Sequence, residues 1–315
     1  MKTQADKVLP QSRAILDRAI KAIGGIVVGK EYQIKLALGC LLANGHLLIE
    51  DQPGVGKTTL AHVLAQALGL DFRRIQFTSD LMPADILGVS IYDREEKTFR
   101  FHPGPIFTQM ILADEVNRAT PKTQSALLEV MEEGQITVDG ETFRLPQPFF
   151  VIATQNPRQQ IGTFALPESQ LDRFLMRIEM GYPDREAERR LLESPDRRQL
   201  YKALEPVMTQ QQLIELQNQV RAVKASPALI NYVQDLLDAS RSDNRFHTGL
   251  SPRAGLALLA AARAWALIAG REMVLPEDVQ AVAPSVMSHR LQGQGDFSGP
   301  SEAAVRTLIE SVPIP

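Results

Sequence analysis

The sequence predicts an α/β fold, a parallel sheet between helices with β-hairpin inserts, followed by a small all-α domain. Three observations carry that expectation. Short segments that are apolar throughout, His46-Leu47-Leu48-Ile49, Met110-Ile111-Leu112-Ala113 and Pro148-Phe149-Phe150-Val151-Ile152-Ala153-Thr154, alternate with segments of helical periodicity. Strands without a polar face belong to sheets covered on both sides. A glycine-bearing turn, Glu50 to Thr59, joins the first of them to a helix-prone stretch, and beyond Gly181-Tyr182-Pro183 no strand signal of comparable strength remains.

Along the chain, Ala14, Ile15, Ala19, Ile20 and Ile23 recur at helical spacing until Gly24 and Gly25, which are read as a stop. A second helix starts near Glu31. After the turn, Leu60 to Leu68 continues as a helix and Phe72-Arg73-Arg74-Ile75-Gln76-Phe77 reads as a strand. Two hairpins interrupt the alternation: Ser90–Asp93 with Thr98–Phe101 around a charged tip, and Gln135–Val138 with Thr142–Leu145 around Asp139-Gly140, a hairpin turn signal. Asp184 can cap a helix through Leu192, and helices are expected over Gln210–Val220, Pro227–Ser240, Pro252–Ala269 and Pro276–Val282, several opened by proline. Gln292 to Pro300 is glycine-rich and reads as a mobile connection to a last helix, Ser301 to Ser311. The expected division is a core over residues 1–183 and a helical domain over 184–315.

At 315 residues, 44% apolar and 23% charged, the chain has the composition of an ordinary globular protein of about two domains. A net charge of −3 supplies no global attraction to nucleic acid or anionic lipid. The lone cysteine, Cys40, rules out an internal disulfide, and its apolar flanks suit a buried filler. The first 24 residues lack a hydrophobic signal core, which points to the cytoplasm. Ala254 to Ala269 is too short for a membrane span and contains Arg263, so no insertion is expected. The five histidines show no ligand spacing.

The chemistry concentrates at strand ends. In Glu50-Asp51-Gln52-Pro53-Gly54-Val55-Gly56-Lys57-Thr58-Thr59, Gly54 and Gly56 let backbone N–H groups curl round an anion at a helix N-terminus, and Lys57 adds a point charge for outer phosphates. Thr58 offers a hydroxyl to Mg²⁺. The full phosphate-loop pattern begins with glycine five residues before Gly56, and this chain has Asp51 there. The competing reading is a glycine-rich turn with no ligand. Asp114 and Glu115 end an apolar strand, where a metal and an attacking water are managed: Asp114 for the metal, Glu115 to orient and deprotonate the water. An acidic strand end that caps the next helix is the alternative. Asn156 can hydrogen-bond both a phosphate oxygen and a water, and an asparagine before proline equally serves as a turn residue. Arg173 joins a turn to a helix, where an arginine is usually a surface ion-pair partner. Arg253 stands in the first turn of a helix, against the dipole, a placement that suits a nearby anion. Glu129, Glu132 and Glu133 share a helix face that reads as solvated surface.

Together these segments resemble an AAA+ ATPase of the MoxR branch. The resemblance rests on Glu50–Thr59 as Walker A, Asp114-Glu115-Val116-Asn117-Arg118 as Walker B and its extension, and Thr154-Gln155-Asn156-Pro157 as sensor 1. It continues with Leu171-Asp172-Arg173-Phe174 as the arginine-finger segment and Ser251-Pro252-Arg253 as sensor 2, spanning about Ile26 to His289. It implies a P-loop AAA+ core with a helical lid, ATP and Mg²⁺ as cofactors, and nucleotide contacts from Pro53, Gly54, Val55, Gly56, Lys57, Thr58 and Thr59. Val28 and Gly29, within Ile26–Gly29, would contact adenine. Asp114 and Thr58 would hold the metal. Glu115, Asn156, Arg173 and Arg253 would act on the reaction, Arg173 in a neighbouring subunit's site and Arg253 by swinging with the lid onto the γ-phosphate. The hairpins would be the helix-2 and pre-sensor-1 inserts, and Asn117 and Arg118 would lie at the subunit interface.

The function so implied is Mg-dependent ATP hydrolysis by a homo-oligomeric ring, a hexamer, that remodels a protein substrate or matures a metalloenzyme complex with a separate von Willebrand factor A domain partner. A nucleic-acid or restriction-type motor is the first rival, and the acidic balance and missing basic aromatic surface count against it. A nucleotide-dependent scaffold without hydrolysis is the second. Glu115, Asn156 and Arg173 count against that one, because binding alone requires none of them.

Overall fold

The structure, a computed structural model, describes residues 5–156, 162–193, 200–201, 203–293 and 302–315. Its centre is a five-stranded parallel sheet built from β1 (Leu47–Glu50), β2 (Phe72–Gln76), β5 (Met110–Asp114), β8 (Phe150–Gln155) and β9 (Met176–Ile178), in the spatial order β2-β5-β8-β1-β9. Every pairing is parallel, with Leu47 opposite Ile152 and Met176, and Met110 opposite Phe72 and Phe150. Alternate residues feed opposite faces. Leu47, Ile49, Met110, Leu112, Phe150 and Ile152 join one apolar cluster, while Leu48, Ile111, Ala113, Val151 and Ala153 join the other. Burial on both faces is why these segments carry no polar side. Each fully buried branched side chain contributes about 1.5–3 kcal/mol.

The first face is covered by α1 (Ala5–Ile26), α2 (Glu31–Leu42) and α3 (Lys57–Ala67), and the second by α4 (Pro83–Leu87) and α5 (Pro121–Glu133). The glycine stop in the first helix does not occur. α1 continues through Gly24 and Gly25 to Ile26, because Leu16, Ala19, Ile20 and Ile23 are buried against the core. Burying a run of such residues outweighs the ~1 kcal/mol that each helical glycine costs. The hairpins form as expected, β3 (Gly88–Asp93) with β4 (Thr98–Pro103) and β6 (Gln135–Val138) with β7 (Glu141–Arg144). Asp139 and Gly140 take φ of 52° and 84°, the pair of positive angles that a two-residue hairpin turn requires. Phe101 of the first hairpin stacks on Phe143 of the second with ring centroids 4.3 Å apart.

Beyond Pro183 come α7 (Arg185–Glu193), preceded by the single-turn α6 (Glu168–Leu171), then α8 (Gln210–Ala222), α9 (Pro227–Ser242), α10 (Pro252–Ile268), α11 (Pro276–Met287) and α12 (Glu302–Ser311). Asp184 caps α7 by accepting from Ala187 N at 2.7 Å. Ser226 and Ser251 cap α9 and α10 ahead of prolines at the first helical position. α11 outruns its predicted end and carries Pro284 in its interior; Val282, Ala283, Val286 and Met287 are fully buried and hold it there. A short antiparallel pair, β10 (Phe246–Thr248) with β11 (Gln292–Gly293), was not expected among the helices. Gln292 and Gly293 are thus paired, and the rest of the predicted mobile connection, residues 294–300, lies outside the described residues. The helices α8 to α12 share one apolar core with α1, α2 and α3: Trp265 meets Tyr32 edge-on at 5.7 Å, and Gln217 donates to the Leu41 carbonyl at 2.9 Å. Among the described residues no helix is long and apolar enough to cross a membrane.

Candidate active site

At the carboxyl end of β1 the chain turns through Asp51 to Gly56 and enters α3 at Lys57. Gly54 and Gly56 have φ of 89° and 96°, and a Cβ at either would meet nothing within 4 Å, so backbone conformation rather than space demands glycine. The turn stands at a helix N-terminus, where unpaired N–H groups and the helix dipole favour an anion. Lys57 is 8% exposed. Its ammonium donates to the Asp51 carbonyl and, at 3.0 Å, to the Gln52 carbonyl, and it reaches Asn156 Oδ1 at 3.5 Å. Burial lowers its pKa, and the charges of Asp51, Asp114 and Glu115 oppose that shift.

The acidic pair lies within the same network. Asp114 ends β5, and its Oδ1 accepts from the Thr154 hydroxyl at 2.6 Å while its Oδ2 takes Arg74 Nε at 3.0 Å and Nη2 at 2.5 Å. The next residue, Glu115, has φ 57°, a left-handed conformation that is uncommon for a residue with a side chain. Its backbone N–H donates to the Thr154 hydroxyl at 2.9 Å, so one threonine on the neighbouring strand fixes both members of the pair. The Glu115 carboxylate accepts from Asn156 Nδ2 at 3.1 Å on one oxygen, and from Gln76 Nε2 at 3.0 Å and Arg118 Nη1 at 2.9 Å on the other. Asn156 therefore bridges Lys57 and Glu115 through the two ends of its amide. Asn117 is buried and donates to the Asn156 carbonyl at 3.3 Å, and its Oδ1 has no hydrogen-bond partner among the described residues.

Arg173 and Arg253 are brought together elsewhere. Arg173 donates to the Leu128 carbonyl at 2.7 Å and pairs with Glu132 at 3.1 Å. Arg253 pairs with the same Glu132 at 3.0 Å and with Asp172 at 3.7 Å, and Arg290 holds Asp172 at 2.7 Å. These residues line a cleft of about 350 Å³ with Asn44, Gly45 and His46. Those three precede the first residue of β1, whereas the glycine turn follows its last, so the cluster is at the opposite end of the sheet from Lys57. Arg253 is not beside the phosphate loop of its own chain.

The structure thus gathers Lys57, Asp114, Glu115 and Asn156 at one end and pairs Arg173 with Arg253 at the other. Pro53, Val55, Thr58 and Thr59 sit in the turn and the first turn of α3. Val28 is buried, and Gly29, with φ 72°, lines a cleft of about 870 Å³ with Gly24, Gly25, Val27 and Arg190. Asn117 is 4% exposed and faces the network rather than the surface. Sequence reasoning missed Arg74 and Gln76 on β2 and the hub at Thr154, which signal only as polar residues in otherwise strand-like runs. It also took Glu132 for solvated surface, whereas Glu132 is the shared partner of two arginines.

A strand-turn-helix carrying this turn, an acidic strand end beside it and a helical lid define an AAA-type nucleotide hydrolase. The sequence profile of the "ATPase family associated with various cellular activities (AAA)" matches residues 46–176, and that of the "AAA lid domain" matches residues 238–308. "Chaperone MoxR1" of Mycobacterium tuberculosis is 39% identical over 95% of this chain and 82% of its own length, and "Protein MoxR" of Paracoccus denitrificans is 34% identical over 93% and 94%. "Uncharacterized protein YeaC" of Bacillus subtilis is 45% identical over 96% and 95%. A crystal structure from Cytophaga hutchinsonii, of a protein described as a candidate ATPase, superposes with a TM-score of 0.87 at 35% identity, covering 99% of this chain and 98% of that one. The chain belongs to the MoxR family of AAA+ ATPases, chaperone-like proteins that hydrolyse ATP.

Proposed function

We propose that this protein hydrolyses Mg·ATP in a site shared between neighbouring copies of a closed ring, taken as a hexamer, and uses the cycle to remodel a protein complex. The single observation that carries this reading is the separation of Arg173 and Arg253 from Lys57 across the length of the sheet. Arginines that serve a reaction must lie against the phosphate, and here they are held by Glu132 and Asp172 at the other end of the sheet from their own chain's loop. A head-to-tail neighbour supplies the missing geometry, and such contacts close into rings when the rotation permits. Arg173 and Arg253 would then both enter the adjacent site, the second in place of a swing within its own chain.

Within one site the turn 53–59 holds the phosphates through its N–H groups and Lys57. Asp114 and the Thr58 hydroxyl are hard oxygen donors of the kind Mg²⁺ takes when it shares a site with phosphates, and they fit that ion. When bound, it neutralises charge on the phosphate oxygens. Lys57 exchanges the Asp51 and Gln52 carbonyls for a phosphate oxygen, and Asp114 gives up Arg74. Glu115 releases at least one of its donors to accept a proton from water, while Asn156 stays in contact with both halves of the site. Val28 and Gly29 contribute to the adenine end, and the hinge between core and lid falls at residues 183 and 184.

The word chaperone in the M. tuberculosis relative's name supports a protein substrate, and we place maturation of a metalloenzyme complex with a von Willebrand factor A domain partner as the biological setting. Complementation tests the shared site. Lys57→Ala subunits cannot bind ATP but keep their arginines, and Arg173→Ala subunits have the reverse defect. Mixing the two inactive preparations restores turnover if the arginine acts across the interface; no recovery removes the shared-site reading. Hydrolysis absent from the wild type despite ATP binding would favour a scaffold.

A further inference from the structure

The aspartate that replaces the first loop glycine has a defined seat. Asp51 Oδ1 accepts the Gln52 N–H at 2.7 Å, and Oδ2 accepts the Gly181 N–H at 2.6 Å. Gly181 opens the strap Gly181-Tyr182-Pro183, which leaves the sheet after β9 and leads through the Asp184 cap into α7. Two more bonds tie that strap to the same neighbourhood: the Tyr182 hydroxyl donates to Gln52 Oε1 at 2.9 Å, and Lys30 Nζ donates to the Tyr182 carbonyl at 2.8 Å. Lys30 is buried, and Asp51 and Asp184 are the carboxylates whose charges compensate it. On the far side of the strap, α7 packs so closely that a Cβ on Gly29 would lie 2.7 Å from Ala187 Cβ.

The dipeptide Asp51-Gln52 thus has two sets of attachments. Its carbonyls hold the Lys57 ammonium, and its side chains hold the strap. An ammonium drawn to a phosphate leaves those carbonyls, and a peptide that reorients pulls on the Asp51 carboxylate, which is bonded to both the Gln52 and the Gly181 N–H. Gly181 has φ 61°, a conformation in which a glycine turns freely and other residues are strained, so the strap can follow. We infer that Asp51 is a positioning residue that couples occupancy of the phosphate loop to the strap between the core and the lid helices. A glycine at 51 keeps the loop and loses the coupling.

This inference rests on ATP binding at the loop, and the test separates the two. Amide hydrogen exchange over residues 179–187 is followed in the full-length protein with and without a non-hydrolysable ATP analogue and Mg²⁺, alongside affinity for a fluorescent ADP analogue and steady-state turnover. In Asp51→Gly the Gly181 amide of the nucleotide-free protein exchanges about tenfold faster, as expected for the loss of a bond to a carboxylate. Affinity stays within about threefold while kcat falls about tenfold, the signature of lost alignment rather than lost binding. The nucleotide-dependent change in strap protection disappears. Tyr182→Phe, which removes only the bond to Gln52, retains that change. A strap response in Asp51→Gly equal to that of the wild type overturns the coupling, as does a response lost in Tyr182→Phe alone. A wild type that binds neither analogue overturns the ATP reading itself and the coupling with it.

Discussion

At the carboxyl end of the sheet one buried amine, Lys57, faces the carboxylates Asp114 and Glu115, whereas at the amino end Arg173, Arg253 and Arg290 share Glu132 and Asp172. The first group is built from strand ends and a glycine turn and is locked by Thr154 and Asn156. The second is drawn from α5, the turn after α6, the lid helix α10 and the turn that follows α11, with side chains that are partly exposed except for Arg290. α5 connects the two regions, and from Pro121 to Glu132 it covers about 16 Å of helix axis. In the shared-site reading, a single chain carries both halves of the reaction centre at opposite ends of its sheet. Carboxylates are paired with arginines at both ends, through Arg74 and Arg118 at the loop and through Arg173, Arg253 and Arg290 at the cleft, and only the loop end adds the lysine at a helix N-terminus.

That contrast can be broken in order of expected effect. Arg173→Ala should lower ATP turnover of the assembled protein by about 10³–10⁵-fold with nucleotide affinity nearly unchanged, since arginine fingers stabilise charge only in the transition state. A loss below about tenfold in steady-state kinetics would detach the arginine end from the reaction. Glu115→Gln should keep nucleotide binding and reduce turnover by about 10²–10⁴-fold, the range for removal of a positioned base. Equilibrium binding beside phosphate release separates that outcome from a binding defect.

The third effect concerns stability at the arginine end. His46 lines that cleft, accepts the Val151 N–H at 3.0 Å and meets the Met131 carbonyl at 3.0 Å, and burial depresses its pKa from 6.5 to about 4. Between those values the unfolded chain binds a proton that the folded chain refuses, so the contribution of His46 falls as pH drops from about 6.5 to about 4 and is constant below. The loss is about 3 kcal/mol. Urea midpoints across that window should fall less in His46→Asn than in the wild type, the slope that remains coming from buried His289, whose pKa burial also lowers; equal slopes in the two proteins refute the assignment. The smallest effect is Glu132→Gln. Its two ion pairs are partly exposed, so unfolding free energy should change by less than about 1 kcal/mol.

The loop end was legible in the sequence because its signals are local. Glycines at fixed offsets, an apolar run ending in Asp-Glu and an Asn-Pro turn each announce a strand end, and the structure joins three such ends at one network. The arginine end was legible residue by residue but not in its assembly. Glu132, Arg173 and Arg253 are distant in sequence, and only the packing of the lid on α2 and α5 decides that they meet. Arg74 and Gln76 escaped for a different reason: in a strand, two polar residues at alternate positions read as the solvent side. β9 was missed because three residues, Met176–Ile178, carry no periodicity, and its place in the sheet is set by pairing with β1. The hairpins were found because Asp139-Gly140 and the charged tip at Arg94–Lys97 specify turns without help from the rest of the fold.

β2 also marks one border of the sheet, since among the described residues β5 is its sole strand partner. A border strand exposes a row of unpaired backbone groups that invites edge-to-edge aggregation, and charged side chains discourage it. Arg73 and Arg74 supply that protection on a strand of only five residues. Arg74 therefore guards solubility with the same guanidinium that holds Asp114. An apolar replacement there would raise the aggregation hazard and alter the site in one step, so the soluble fraction has to be measured before any change in turnover is credited to chemistry.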